Sequence, residues 1–279
     1  MKFTLHTPTG KAYDTYAYTG GKAFDATQPT LVFIHGVLND HSVWILQTRY
    51  LAHHGFNVLA IDLPGHGRSG GDAPHSVEEA ALFIEALLDA AGIQQAGLVG
   101  HSWGSLISLE TAARLKDRIT HLALVGTAFP MRVSPALIEA SLNEPTKALQ
   151  MVNVFSRATL AAPPSVLGPG TWVYGASMAL GRRVLASNPL VNIFHRGFVA
   201  CDSYDNGLQA MAAITCPVLF LLGESDQMTP PRAAKSLIDQ AQTTGKKFSV
   251  VQIPMGHHQM SEAPEETLAA LKTFLGLTT

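Results

Sequence analysis

Two textures of apolar residues alternate along the chain. Near-continuous apolar runs occupy Thr30–His35, Asn57–Asp62, Ala96–Val99, His121–Val125 and Cys216–Leu222, and a further strand is expected over Phe248–Ile253. Runs of that length without polar alternation predict strands buried on both faces, as in a parallel sheet. Between them, apolar residues recur at helical spacing over Ser42–His53, Ser76–Ala91, Leu106–Lys116, Pro231–Gln242 and Pro264–Phe274. Ser76, with Glu79 three residues on, reads as the N-cap of the second of these helices. The opening, Phe3–Thr19, alternates weakly and carries Tyr13, Tyr16 and Tyr18, which predicts two edge strands in a hairpin. Strand and helix in alternation predict an α/β fold, a mostly parallel central sheet of about eight strands flanked by helices.

The rhythm breaks after Thr127 and resumes near Ala212. The interval, residues 130–205, mixes short helical patterns with Pro and Gly and is expected to be an inserted, mainly helical block. One domain over 1–279 is expected, with its core in 1–129 and 206–279. Phe155, Trp172, Tyr174, Phe194 and Phe198 of the insertion either line a pocket or form its own small core. Phe155, Trp172 and Tyr174 are the candidates for substrate contact. The uncharged stretch Ala158–Gly181 is long enough to resemble a membrane span, but Pro163, Pro164 and Pro169 would strand backbone groups in lipid, so a loop-rich segment is expected there.

Hydrophobic residues make up 47% of the 279 and charged residues 14%, the balance of a compact globular chain with a sizeable apolar interior or cavity. The net charge of −2 is spread without basic clusters, which excludes an electrostatic footprint for nucleic acid and gives no support for an anionic membrane surface. Cys201 and Cys216 are too few for a disulfide framework and fit a reducing compartment. The polar N-terminus lacks the apolar core of a secretory signal, so a cytoplasmic protein is expected.

Candidate chemistry gathers where an open parallel sheet collects it, at the carboxyl ends of strands. Gly100-His-Ser-Trp-Gly104 puts Ser102 on a corner between strand and helix, with glycines two residues away on each side allowing a sharp turn that exposes the hydroxyl. His35-Gly36, Asp62-Leu-Pro-Gly-His-Gly-Arg-Ser69, Gly223-Glu-Ser-Asp226, and Gly256-His257 followed by Glu262-Ala-Pro264 stand at or near other predicted strand ends. Five such features, in the order they take along the chain and over nearly its whole length, resemble the α/β-hydrolase family, and within it the cap-bearing bacterial serine esterases. This resemblance implies that the inserted block, residues 130–205, is a cap.

The resemblance implies that Ser102 is the nucleophile, His257 its base and Asp226 the acid that orients the histidine. A hydroxyl needs such a base at neutral pH, and imidazole, with an ordinary pKa of about 6.5, can take the proton and return it to a leaving group. His258 competes with His257, and Glu224 with Asp226, but the family positions favour His257 and Asp226. The backbone N–H groups of Val37 and Trp103 would form the oxyanion hole. The Trp103 indole either shapes the pocket or packs under the following helix. His35 and His101 are expected to be structural.

Gly65-His-Gly67-Arg-Ser-Gly70 satisfies a dinucleotide-binding pattern, but Asp72, Ala73 and Pro74 intervene before a helix can begin, so no such cofactor is expected. None of the twelve histidines has metal-ligand spacing, and no metal is expected. The implied activity is hydrolysis of a carboxylic ester or related acyl compound through an acyl-enzyme. Lactone, thioester and carbon-carbon bond cleavage share this machinery, and some family members act as small-molecule receptors. A serine at 102 rather than an aspartate argues against haloalkane dehalogenase and epoxide hydrolase chemistry. The partner is a small molecule. Arg132, Arg157, Arg182, Arg183 and Arg196 would meet a substrate carboxylate only if one of them points inward; long side chains of this kind are expected at the surface.

Overall fold

The computed structural model describes residues 1–6, 10–158 and 173–277. The chain opens with strands β1 (Lys2–His6) and β2 (Ala12–Tyr18), then β3 (Thr30–Ile34), α1 (Ile45–Ala52), β4 (Asn57–Ile61), α2 (Val77–Ala90), β5 (Ala96–His101), α3 (Trp103–Leu115) and β6 (Ile119–Val125). A helical insert follows, carrying α4 (Pro135–Asn143), α5 (Pro145–Ser156), α6 (Val173–Ala186) and α7 (Ile193–Ser203). The chain then returns through α8 (Gly207–Ala213) to β7 (Val218–Gly223), α9 (Lys235–Thr243), β8 (Phe248–Ile253), α10 (Gln259–Glu262) and α11 (Pro264–Phe274).

Eight strands form one mixed sheet in the order β1-β2-β4-β3-β5-β6-β7-β8. The first two pairings, β1 with β2 and β2 with β4, are antiparallel, and every later one is parallel. The continuous apolar runs follow from burial on both faces. In β3, Val32 and Ile34 pack with Ile84 of α2 and Leu106 of α3, whereas Leu31 and Phe33 point to the opposite face with Leu51 of α1 and Leu271 of α11. The same period-two division runs through β4, β6 and β7, so no polar side is left to alternate with an apolar one. The expected cap on α2 is present, with the Ser76 hydroxyl accepting the Glu79 N–H at 3.2 Å.

The insert has a core of its own, in which Leu137, Leu149, Met178, Val184, Phe194 and Phe198 pack together and meet Leu38 and Ala73 from the sheet domain. Strand order reverses between β4 and β5, on either side of β3, so the segments leaving β3 and β5 diverge and open a crevice beneath the insert.

Candidate active site

The turn between β5 and α3 is tighter than the apolar pattern implied. The strand continues through His101 and the helix begins at Trp103, leaving Ser102 alone at the corner with φ 54° and ψ −120°. A side chain in that backbone region costs about 1–3 kcal/mol and persists only where its surroundings enforce it. Here they do. The Ser102 N–H donates to the Val125 carbonyl at 2.9 Å, and the Ser102 carbonyl accepts both the N–H and the hydroxyl of Ser105. Both flanking glycines sit at close approaches. A Cβ on Gly100 would collide with the Gly104 carbonyl, and one on Gly104 would lie against the Ile34 carbonyl and 2.7 Å from that of His35. Glycine therefore presses α3 against β3, bringing the segment after β3 beside Ser102.

That segment carries Val37. His35, fully buried, fixes it from below: its Nδ1–H donates to the Gly36 carbonyl at 2.8 Å and its Nε2 accepts the Leu63 N–H at 3.1 Å, so its partners define the tautomer. Trp103 is the first residue of α3, so its N–H has no acceptor within the helix and carries the positive end of the helix dipole. The two N–H groups expected to hold an oxyanion thus come from adjacent strand ends, β3 and β5, paired through Ile34 and Gly100.

Asp226 and His257 meet behind the crevice. The Nδ1–H of His257 donates to Asp226 Oδ2 at 2.7 Å, and both residues are buried. Asp226 Oδ1 accepts the N–H groups of Met228 and Thr229, each at 2.8 Å. Burial alone would push the Asp226 carboxyl up, but the His257 charge, its hydrogen bond and those of Thr229 outweigh it and bring the group to about 2. Asp226 pairs with His257 and not with His258, and the alternative acid, Glu224, is exposed. His257 is held at both backbone ends: its N–H donates to the Ser156 carbonyl at 2.6 Å, and its carbonyl accepts the Nε2–H of His101 at 2.8 Å. Burial, followed by the His257 charge, keeps His101 well below the ordinary histidine value, so it serves as a neutral strut.

Sequence reading missed Thr229. Its buried hydroxyl lies 2.8 Å from Asp226 Oδ2, 3.0 Å from His257 Nδ1 and 2.9 Å from the Gly126 carbonyl, touching both members of the acid-base pair. An Asp followed at the third position by Thr, just past a strand end, is the pattern of a side-chain-closed turn and was the available signal.

Ser102, Val37 and His257 line one cavity of about 280 Å³, closed by residues of α5, α6 and α7. Its apolar wall includes Leu149, Val152, Phe194, Phe198 and Met228, with the two phenylalanine rings 5.0 Å apart. The structure decides between the two readings of Trp103 and corrects those of Phe155 and Tyr174. The Trp103 indole is 1% exposed and packs in the core beneath the sheet near His66, so only its backbone reaches the site. Phe155, 43% exposed, faces outward from α5, because the cavity face of that helix is taken by Leu149, Val152 and Asn153. Tyr174 packs against the insert's core and is not part of the cavity wall. Trp172 lies outside the described residues.

Of the five arginines of the insert, Arg157 lines the cavity. Arg183 pairs with Asp40, Arg132 donates to the Asp202 carbonyl, Arg196 donates to that of Ala73, and Arg182 is exposed. The glycine-rich segment after β4 holds no helix N-terminus. Its Gly67 N–H donates to Ser187 Oγ and its Gly65 carbonyl accepts Asn188 Nδ2, so it docks the insert. Asp40, His41 and Asp62 are close enough to share a cation, but Asp40 is engaged by Arg183 and Ser42, and Asp62 by His41 and the Arg68 N–H. Both cysteines are buried free thiols, and among the described residues no helix is long and apolar enough to cross a membrane.

Residues 29–264 match the alpha/beta hydrolase fold family. The chain belongs to this family. Among solved structures, an esterase from Exiguobacterium antarcticum matches this alpha/beta hydrolase with a TM-score of 0.80 at 18% identity, over 99% of this chain and 100% of that one. An enol-lactonase from Burkholderia xenovorans gives 0.76 at 22%, over 95% and 97%. At these identities the likeness is one of fold. The dihydrolipoyllysine-residue acetyltransferase component of the acetoin cleaving system of Cupriavidus necator is 36% identical over 112 residues, 40% of this chain and 28% of that protein. The chain spans between about a quarter and two fifths of the length of three such curated relatives, at 28%, 37% and 26%.

Proposed function

We propose that this alpha/beta hydrolase is a serine hydrolase that cleaves a carboxylic ester or related acyl compound through an acyl-enzyme, with Ser102, His257 and Asp226 as its triad. The observation that carries the reading is the 2.7 Å Asp226–His257 pair, whose imidazole opens on the same cavity as a serine held at φ 54°. With Nδ1 bound to Asp226, Nε2 is the basic nitrogen. Ser102 Oγ bonds to the acyl carbon as its proton passes to His257 Nε2, and the carbonyl electron pair moves onto oxygen. The N–H groups of Val37 and Trp103 stabilise that oxyanion. Its collapse breaks the bond to the leaving oxygen, which takes the proton from His257. A water molecule then repeats the sequence at the acyl-enzyme and restores the serine. Residues 130–205 act as the cap that selects the acyl group.

A fluorophosphonate probe tests the nucleophile directly. Wild type labels at neutral pH, Ser102→Ala does not, and Ser102→Ala or His257→Ala lowers kcat on p-nitrophenyl esters by about 10⁴–10⁶. Labelling that survives Ser102→Ala, or none in the wild type, overturns the assignment. A screen of graded acyl esters and lactones then reads the preferred bond.

A further inference from the structure

Part of the cavity wall is polar in a way that ester hydrolysis does not require. Arg157 follows the last turn of α5, and Asn153 lies four residues earlier on the same face of that helix. Both line the cavity, together with Ser177 of α6, Ser261 and Glu262. The guanidinium donates Nη2 to Ser177 Oγ at 2.7 Å and Nη1 to Ser261 Oγ at 3.2 Å, both neutral acceptors. Among the described residues its buried Nε has no partner, and neither has Nδ2 of Asn153, a side chain only 4% exposed.

Glu262, the acid whose charge acts on Arg157, does not pair with it. Glu262 Oε2 accepts the Ala158 N–H at 2.9 Å and Oε1 accepts the His258 N–H at 3.1 Å, so the carboxylate braces the two backbone segments beside Arg157. Among the described residues Arg157 forms no ion pair, although the Glu262 charge works against the burial that lowers its pKa. A guanidinium drawn into a cavity on hydroxyl acceptors alone bears a desolvation cost that an ionised partner would offset. Arg157 is also close to the chemistry: the carbonyl of Ser156, its neighbour, accepts the His257 N–H.

Building on the hydrolase reading above, we infer that Arg157, with Asn153 and Ser177, is a subsite for a carboxylate on the substrate, so that the preferred substrates are acyl compounds bearing a free carboxylate remote from the scissile bond. A guanidinium fork matches a carboxylate in two parallel hydrogen bonds, and the Asn153 amide supplies a further donor.

The test compares mono(p-nitrophenyl) adipate and suberate with their methyl-capped diesters and with p-nitrophenyl hexanoate. Wild type should favour a free-acid ester over its capped form by at least tenfold in kcat/KM. In Arg157→Met that ratio should fall by at least tenfold, and in Arg157→Lys, which keeps the charge but loses the fork, it should fall part of the way. A wild-type ratio near one at both chain lengths, or the same ratio in wild type and Arg157→Met, overturns the subsite. Capped and free esters that both surpass hexanoate equally would mean that a neutral carbonyl is recognised instead, which also overturns it. Calorimetric titration of monomethyl adipate and monomethyl suberate into Ser102→Ala and Ser102→Ala/Arg157→Met reads the subsite without turnover. Binding of either to the first protein and not the second supports the subsite even if no ester is cleaved, and equal binding or none refutes it. Absent cleavage of every ester, hexanoate included, counts against the hydrolase reading alone.

Discussion

Thr229→Val isolates the contribution of one hydroxyl to the acid-base pair. Valine keeps the shape and removes an oxygen 2.8 Å from Asp226 Oδ2 and 3.0 Å from His257 Nδ1. Asp226 retains the N–H groups of Met228 and of residue 229, as well as the imidazole, so the carboxylate stays in place. A hydrogen bond to a charged group contributes about 1.5–3 kcal/mol to stability. Only the part that strengthens when His257 becomes imidazolium lowers the barrier. Taking about half of it, near 1.1 kcal/mol, kcat should fall about sixfold. KM should change little, because Thr229 stands behind Asp226 and off the cavity wall. The assay is steady-state hydrolysis of a p-nitrophenyl ester by wild type, Thr229→Val and Thr229→Ser, with urea unfolding of each. Serine should restore most of kcat. A kcat in the valine variant within twofold of wild type, or a loss that serine fails to recover, would refute a positioning role and leave Thr229 as a stabilising contact.

Buried neutral imidazoles should set the acid sensitivity of the fold. Burial drives His66 down to about 3, so the unfolded chain binds a proton below about 6.5 that the folded one refuses, and stability falls with pH across that window. Between pH 7 and 4.5 this group accounts for about 3 kcal/mol; His66→Asn should flatten the urea-midpoint profile by that amount, and an unchanged profile would exclude it. Gly104→Ala should lose at least about 3 kcal/mol in urea unfolding, since backbone carbonyls of Ile34 and His35 occupy the Cβ position, and a loss under half a kcal/mol would mean that the turn relaxes. Phe198→Leu, on the cavity wall, should raise the preferred acyl length, whereas outward-facing Phe155→Ala should leave it unchanged. Equal shifts from both variants would contradict this placement of the wall.

Some of this protein could be read from order along the chain alone. Continuous apolar runs alternating with amphipathic segments forced strands buried on both faces, and hence a parallel sheet with helices on each side. Chemistry-bearing residues at successive strand ends could then only gather along one edge, and Ser102, Asp226 and His257 stand there because chain order and strand direction dictate it. The insert obeys no such rule. Whether an aromatic or an arginine of 130–205 faces solvent, its own core or the cavity depends on the rotation of a helix about its axis and on what packs against it, and neither leaves a periodic trace in a short Pro- and Gly-broken segment. Phe155 and Arg157 are two residues apart, yet one faces out and the other lines the cavity. Thr229 was hidden for a related reason, since its hydroxyl matters only through an imidazole that lies 28 residues away in sequence and reaches it by tertiary packing.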